Sequence, residues 1–207
     1  MRVLTVTGQG REQIPTSLAT VKLGVEVSGD TAEAAQQVAA EQSSAVVELL
    51  RDRQVSQLET TGIRLNPQYR QVNEQNQVVA YLATNTVSFE VPSDAVGPLL
   101  DAAVAAGATR IQTVTFKASD EAVTAARDVA LQQAVADAQA QADAVLSVLN
   151  LNAEEIISIQ IGGAQRPTPI PAPRQAQPAK KAAVAASTPV VAGEQTIRAT
   201  VTLQIRY

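Results

Sequence analysis

The sequence predicts an α+β fold with a mainly antiparallel sheet of long strands and three helices. Two observations predict it: alternating apolar segments recur in pairs, and three segments with helical periodicity lie between them. The predicted order is β-β-α-β-β-α-β-α-β-(Pro-rich insert)-β. The chain has 207 residues, of which 45% are hydrophobic and 17% charged, a composition typical of one or two globular domains.

Two strands are predicted at the N-terminus. Residues 3–7 are β-branched and alternate, and their strand is expected to end in a turn or bulge at Gly8-Gln9-Gly10. A phosphate-binding loop is the alternative for these glycines, but such loops carry a third glycine and continue into a helix. Residues 17–28 alternate as a half-buried strand does.

A helix and a long hairpin are predicted next. Apolar residues at spacings of three and four predict the helix over 32–53, and Asp30 or Thr31 is the expected N-cap. Residues 55–72 and 78–91 have strand composition and are expected to pair as the hairpin.

Turn-forming residues set the expected limits of the middle elements. The first hairpin strand should bend at Gly62 and leave the ladder near Pro67, at a sheet edge. Polar residues 73–77 form the expected turn. Ser93 is the expected cap of a second helix, which ends at Gly107.

A strand over 109–117 precedes the longest predicted helix, over 121–149. Ser119 and Asp120 are its expected caps, and its apolar stripe consists mainly of alanine. The stripe is formed by Val123, Ala126, Ala130, Ala134, Ala138, Ala142, Val145 and Leu149. Alanine buries little area, so the stripe requires a close neighbour.

The last two strands, over 154–161 and 194–206, flank a flexible insert at 162–193 that is rich in proline, alanine and lysine. Because the strand after the insert is too short to be a domain, we expect one domain over 1–207. The insert lacks acidic residues and carries four basic ones, Arg166, Arg174, Lys180 and Lys181. It is expected to be a solvated linker or a contact to an anionic surface.

The sequence gives little support for catalysis. It contains no His, Cys or Trp, so the usual neutral-pH base, thiol nucleophile and thiolate metal ligands are missing. The nearest carboxylate pairs, Glu154-Glu155 and Asp137 with Asp143, are expected to diverge. We expect no enzyme activity, no catalytic, cofactor-binding or metal-binding residues, and no cofactor. With a net charge of −4 we expect no nucleic-acid partner.

Four of the predicted strands are unusually long, at 12 or more residues, and aromatic residues are only 2% of the chain. Polar positions such as Thr84, Thr86, Thr200 and Thr202 give these strands Thr/Gln/Asn faces. Two explanations stay open: strands that protrude and pair with a neighbouring molecule, or a large solvated face on a single sheet.

Several segments, taken in order, are similar to one family. They are V-T-G-Q-G with Pro15 behind it, T-G-I-R-L-N-P-Q-Y (61–69), Y-L-A-T-N-T-V-S-F (81–89), L-L-D-A-A-V-A-A-G-A-T-R-I (99–111), A-R-D-V-A-L-Q-Q-A-V-A-D-A-Q-A-Q-A (126–142) and I-R-A-T-V-T-L-Q-I (197–205). The chain resembles the SIMPL-domain family, which includes bacterial periplasmic immunogenic and oxidative-stress-linked envelope proteins.

The resemblance implies a non-enzymatic cell-envelope protein that self-assembles into a ring- or channel-like homo-oligomer, with a link to stress tolerance. The alternative is a binding module whose insert contacts an envelope protein, the cell wall or an anionic surface. The N-terminal MRVLTVTGQG has no apolar signal-peptide core. We therefore expect a periplasmic or outer-membrane-associated protein if a signal was removed, and a cytoplasmic one otherwise.

Overall fold

The computed structural model describes residues 2–72, 75–162 and 188–207, and these confirm the α+β class and the order of the elements. The strands form two antiparallel sheets, whereas the sequence suggested one. The elements are β1 (Val3–Pro15), β2 (Leu18–Gly29), α1 (Ala32–Asp52), β3 (Ser56–Val72), β4 (Gln75–Pro92), α2 (Val96–Ala105), β5 (Arg110–Lys117), α3 (Asp120–Val148), β6 (Glu155–Gly162) and β7 (Glu194–Arg206).

The elements divide into two compact units. Unit 1 contains the sheet β1-β7-β6 and α3, and unit 2 contains the sheet β3-β4-β2-β5 with α1 and α2. Adjacent strands can thus belong to different sheets: β1 and β2 are separated in sequence only by Thr16 and Ser17. The expectation of one domain over 1–207 stays a prediction, because two compact units can still fold as one cooperative whole.

In unit 1, α3 packs on β1 and β7 through the predicted alanine stripe. Its five central alanines, Ala126 to Ala142, are buried, whereas the predicted stripe ends Val145 and Leu149 are exposed and Leu146 is buried instead. The sheet side of this interface is formed mainly by Val201, Leu203 and Ile205 of β7.

The turn or bulge predicted at Gly8-Gln9-Gly10 is wrong, because β1 continues to Pro15 in unbroken register with β7. The two glycines instead lie beneath α3. A Cβ added at Gly8 would lie 2.0 Å from the carbonyl oxygen of Ala134, and one at Gly10 would lie 1.9 Å from that of Ala130. Glycine is required here because any side chain would hold the helix away from the strand.

Unit 2 has a core of larger side chains. Phe89 of β4, Leu23 of β2 and Leu50 of α1 are almost completely buried, and α2 contributes Val96 and Leu100. Apolar and polar residues alternate on β2 as predicted, so one face of this sheet carries the core and the other faces solvent.

The predicted caps are confirmed for two helices. Thr31 and Ser119 are N-caps that accept hydrogen bonds from Ala34 N (3.1 Å) and Ala122 N (3.3 Å). The cap predicted for α2 is wrong: α2 starts after Ala95 and has no side-chain cap bond, and Ser93 N donates to Ser17 O at 2.9 Å.

The turn signals at three other positions, Gly107, Gly62 and Pro67, had different outcomes. Gly107 follows α2 with φ of +119°, as expected of a residue just past a helix end. The edge position of β3 is confirmed, and its register shifts between Thr60 and Gly62. However, β3 does not leave the ladder near Pro67, since Pro67 pairs with Tyr81 and pairing continues to Val72.

Most of the predicted insert, residues 163–187, lies outside the described residues, and so do its four basic side chains. Its last residues pack in unit 2. Thr188 donates from N and Oγ1 to the two carboxylate oxygens of Asp101, at 3.2 and 2.7 Å, and Val190 packs against the core. The insert is therefore anchored at its C-terminal end.

Candidate association and binding surfaces

A two-stranded ribbon, formed by residues 67–72 of β3 and 75–80 of β4, extends past the rest of the unit 2 sheet. Pairing between β2 and β4 ends at Gly29 and Tyr81, so residues 75–80 pair with β3 alone. At roughly 3.4 Å per residue, this ribbon projects by about 20 Å. The long hairpin predicted from the sequence is thus confirmed, and the ribbon is its free end.

Apolar side chains on this ribbon are exposed. Tyr69 is 63% exposed, and its directly paired partner Val78 and the neighbouring Val79 are exposed as well. Two-stranded ribbons are marginally stable in water when they pack against nothing. The ribbon is therefore a surface that would gain from contact with a partner.

The solvent-facing side of the unit 2 sheet contains an open polar groove of about 660 Å³. Thr86 lies on its floor between Gly24 and Gly62 of the neighbouring strands, so little side-chain volume fills that row. Gln112 Nε2 donates to Thr86 Oγ1 at 3.0 Å. The predicted Thr face of β4 thus forms part of a concave polar surface.

The groove is electropositive, although the chain as a whole carries a charge of −4. Three of its lining residues are cations, Lys22, Arg64 and Arg110, and one is an acid, Glu26. Arg110 Nη1 lies 3.0 Å from Glu26 Oε2, so Arg110 is already paired. Lys22 and Arg64 remain as the cations most able to attract an anionic ligand. The sequence did not reveal this groove, because its cations lie on three different strands.

The two outer strands of the unit 1 sheet differ at their edges. On β1, the backbone N–H groups of Gln9 and Arg11 donate to Asp137 Oδ2 (2.8 Å) and Gln133 Oε1 (3.0 Å) of α3. Gln141 Nε2 donates to the carbonyl oxygen of Thr7 at 3.3 Å. Three side chains spaced four residues apart thus occupy three of the outward hydrogen-bonding groups in the middle of β1.

Three of the four carboxylates weighed from the sequence have hydrogen-bonding partners in the structure. Contrary to expectation, Glu154 and Glu155 converge, since both bind the guanidinium of Arg206 at 3.2 and 2.6 Å. Asp137 caps the β1 edge, whereas Asp143 lines a groove on the β6 side of α3. Over residues 2–72, 75–162 and 188–207, no three acidic side chains cluster as a metal site would require.

None of the helices described is both long and apolar enough to cross a membrane. The fold and surfaces define an α+β protein with two helix-backed antiparallel sheets and long exposed strands. The sequence model of the SIMPL family, described as a protein of unknown function (DUF541), matches residues 4–205. The chain therefore belongs to the SIMPL family, which confirms the resemblance noted in the sequence. No curated protein matches the chain.

Proposed function

We propose that this SIMPL protein is a non-enzymatic component of the bacterial cell envelope that assembles into a homo-oligomer and contributes to stress tolerance. The observation that carries the proposal is the ribbon, which exposes Tyr69, Val78 and Val79 beyond the unit 2 sheet. Exposed apolar side chains on a protruding element are typical of an interaction site.

The composition supports association of like chains. With aromatic residues at 2% and an alanine-based helix in unit 1, the chain buries little apolar area per side chain. Burial of the ribbon against another copy would add apolar area that the single chain does not supply. The ring- or channel-like form implied by the resemblance requires an interface that repeats from copy to copy.

The mass of the assembly tests the proposal. Light scattering coupled to size exclusion should give several times the 21.6 kDa chain mass at micromolar concentration. Replacing Tyr69 and Val78 together by Thr should reduce that mass, because the substitutions keep strand propensity and remove the apolar contact. Ile63→Thr is the matched control, since Ile63 has nearly the same exposure as Tyr69 but lies where β4 also pairs with β2. A monomer at every concentration would refute self-assembly.

The envelope location and the stress role require experiments in cells. Fractionation of a strain carrying the genomic gene should place the protein in the periplasm or with the outer membrane. Loss of the gene should reduce survival after peroxide exposure, and the Tyr69/Val78 double variant should fail to restore it. Restoration by a variant that is monomeric would separate the stress role from assembly.

The polar groove favours a second candidate function, the binding of an anionic envelope component. Lys22 and Arg64 face it from β2 and β3, and Gln112 and Asn66 add polar groups. The basic residues of the insert, which the sequence suggested as the contact, lie outside the described residues. The groove would bind anions independently of them.

Sedimentation with purified peptidoglycan sacculi tests this second candidate. Replacing Lys22 and Arg64 by Gln should release the protein from the sacculi. Raised salt should release the parent protein to a similar extent, because salt screens the same ionic contacts. The control replaces Arg11 and Arg198, an exposed arginine pair in unit 1, by Gln and removes the same charge. A further variant replaces the four insert cations by Gln. Equal binding by all variants would exclude both cationic regions.

A further inference from the structure

We infer that β6 is a self-pairing edge: β6 of one copy pairs antiparallel with β6 of a second copy, and the two unit 1 sheets join into one. The inference rests on the proposed self-assembly and names a surface other than the ribbon through which it occurs. It follows from the contrast between β6 and the other free edges.

The outer edge of β6 has none of the cover that β1 has. In the part of the chain that the structure describes, no side chain hydrogen bonds to the outer backbone groups of β6. Hydrogen bonding alternates along an antiparallel strand. Gln9 and Arg11 direct their N–H groups away from β7, so the β7 residues paired with them direct theirs towards β6. Because the direction also alternates along β6, the backbone N–H and C=O groups of Ile159 and Ile161 point away from β7, to the open edge.

The side chains of β6 are apolar and uncovered. Ile159 and Ile161 pair with Leu203 and Val201 of β7, so they lie on the sheet face that carries α3. Leu203 and Val201 are buried there, but Ile159 is 62% exposed and Ile161 is 57% exposed. The helix covers β1 and β7 and stops short of β6. An apolar strip therefore lies beside an open row of hydrogen-bonding groups.

Free edges usually carry charges or proline that prevent pairing. The outer strands of unit 2 follow this rule: β3 contains Arg64, Pro67 and Arg70, and β5 begins and ends with Arg110 and Lys117. The only charged residue of β6 is Glu155, at its start, and it is bound to Arg206. Beyond this first residue, β6 contains neither a charge nor a proline.

The sequence of β6 fits a second β6 better than another edge. An antiparallel pairing centred on Gln160 sets Ile159 of each copy opposite Ile161 of the other, and Ser158 opposite Gly162. Paired residues lie on the same face, so the isoleucines of both copies would form one apolar strip between the two α3 helices. Pairing with β3 or β5 of a second copy would bring the cations of those strands into the joined sheet, whereas β6 contains no cation. The two-fold arrangement is isologous and closed, which limits it to two copies.

Single-cysteine cross-linking tests this pairing, because the chain contains no cysteine. In the proposed register, Gln160→Cys lies opposite itself in a non-hydrogen-bonded pair with Cα atoms about 4.5 Å apart, within the range of a disulfide. Gln9→Cys is the matched control: Gln9 is an exposed glutamine on the outer strand β1 of the same sheet, whose edge is capped. Under mild oxidation, Gln160→Cys should form disulfide dimers at least about tenfold faster than Gln9→Cys, because pairing raises the local thiol concentration.

A second variant separates this inference from the proposed function. Ile159→Lys places a charge on the edge and should halve the number of copies in the assembly. Hydrogen exchange should show that unit 1 stays folded in this variant. If the protein assembles but Ile159→Lys keeps the full mass and Gln160→Cys reacts no faster than Gln9→Cys, the β6 pairing is wrong and self-assembly stands. If the amides of Ile159 and Ile161 resist exchange in a sample that light scattering shows to be monomeric, a segment of the same chain covers β6, and the inference is overturned.

Discussion

The two units bury their helices in opposite ways. In unit 1, alanines of α3 lie on the glycines of β1, and side chains of the same helix cap the strand edge. In unit 2, larger side chains from the sheet and the helices, such as Phe89, Leu23 and Leu50, pack together to form the core. Unit 1 therefore depends on the close approach of backbones and on edge hydrogen bonds, and unit 2 depends on side-chain volume.

The difference explains how each unit should respond to substitution. A close helix–strand contact tolerates no added atom, whereas a core of large side chains is most sensitive to lost atoms. Substitutions that add atoms should therefore destabilise unit 1 most, and substitutions that remove atoms should destabilise unit 2 most. Hydrogen exchange resolved by peptide can assign the effect of each variant to one unit.

The largest effect is expected in unit 2 from Phe89→Ala. Phe89 is fully buried at the centre of the unit 2 core. Truncation of a buried phenylalanine lowers the free energy of unfolding by about 3–5 kcal/mol through lost burial and a cavity. Urea unfolding followed by hydrogen exchange should show the loss in unit 2 peptides. A fall below about 1 kcal/mol would mean that unit 2 does not rely on side-chain volume.

The next largest effect is expected in unit 1 from Gly8→Ala, which adds a single methyl group. The new Cβ would lie 2.0 Å from Ala134 O and 2.4 Å from Ala138 N, so α3 must shift. Overpacking of this kind lowers the free energy of unfolding by about 2–3 kcal/mol. Gly62→Ala is the control, because a Cβ there meets nothing within 4 Å. Equal stability of the two variants would contradict the close approach of α3 to β1.

These glycines also show where prediction from sequence reaches its limit. The alanine stripe and the caps Thr31 and Ser119 were predicted, because each depends on residues within one helix. The role of Gly8 depends on a helix more than 120 residues later in the chain, so the local signal indicated a turn instead. Ser93 is not the cap of α2, because the N-cap position lies two residues further on, at Ala95.

The candidate surfaces were less predictable than the fold. The length of the hairpin indicated protruding strands, and the ribbon agrees with that alternative. The strand β6 was predicted, but not the exposure of its isoleucines, which arises because α3 covers only β1 and β7. Burial of a strand face depends on where the covering helix lies, which periodicity does not specify.

A smaller effect is expected when the β1 edge is opened by Asp137→Ala. Asp137 Oδ2 accepts from Gln9 N at 2.8 Å and from Gln141 Nε2 at 3.0 Å, and both bonds would be lost. The site is exposed, so water replaces the lost acceptor and the free energy of unfolding falls by about 1 kcal/mol. The opened β1 edge should also pair more readily with a second copy. Asp137→Ala combined with Gln9→Cys should therefore form disulfide dimers faster than Gln9→Cys alone. An unchanged rate would mean that the cap does not block pairing.

The smallest effects are expected at the helix caps, and they should differ between the units. Thr31→Ala removes the bond to Ala34 N, and we expect a loss of about 1 kcal/mol in the free energy of unfolding of unit 2. Ser119→Ala removes the bond to Ala122 N, but Asp120 and Glu121 in the first turn of α3 still interact favourably with the helix dipole, whereas α1 has only Glu33 there. We therefore expect the smaller loss, about 0.5 kcal/mol, in unit 1.

Paired denaturation curves at low and high salt check this order of the two caps. The matched controls Thr31→Asp and Ser119→Asp keep an acceptor at each cap and should stay close to the parent protein. Salt screens the dipole interaction of Asp120 and Glu121, so the loss for Ser119→Ala should grow towards that for Thr31→Ala as salt is raised. Losses that stay unequal at high salt would show that the difference arises from packing around the caps, and the first-turn acids of α3 would then contribute nothing measurable to unit 1.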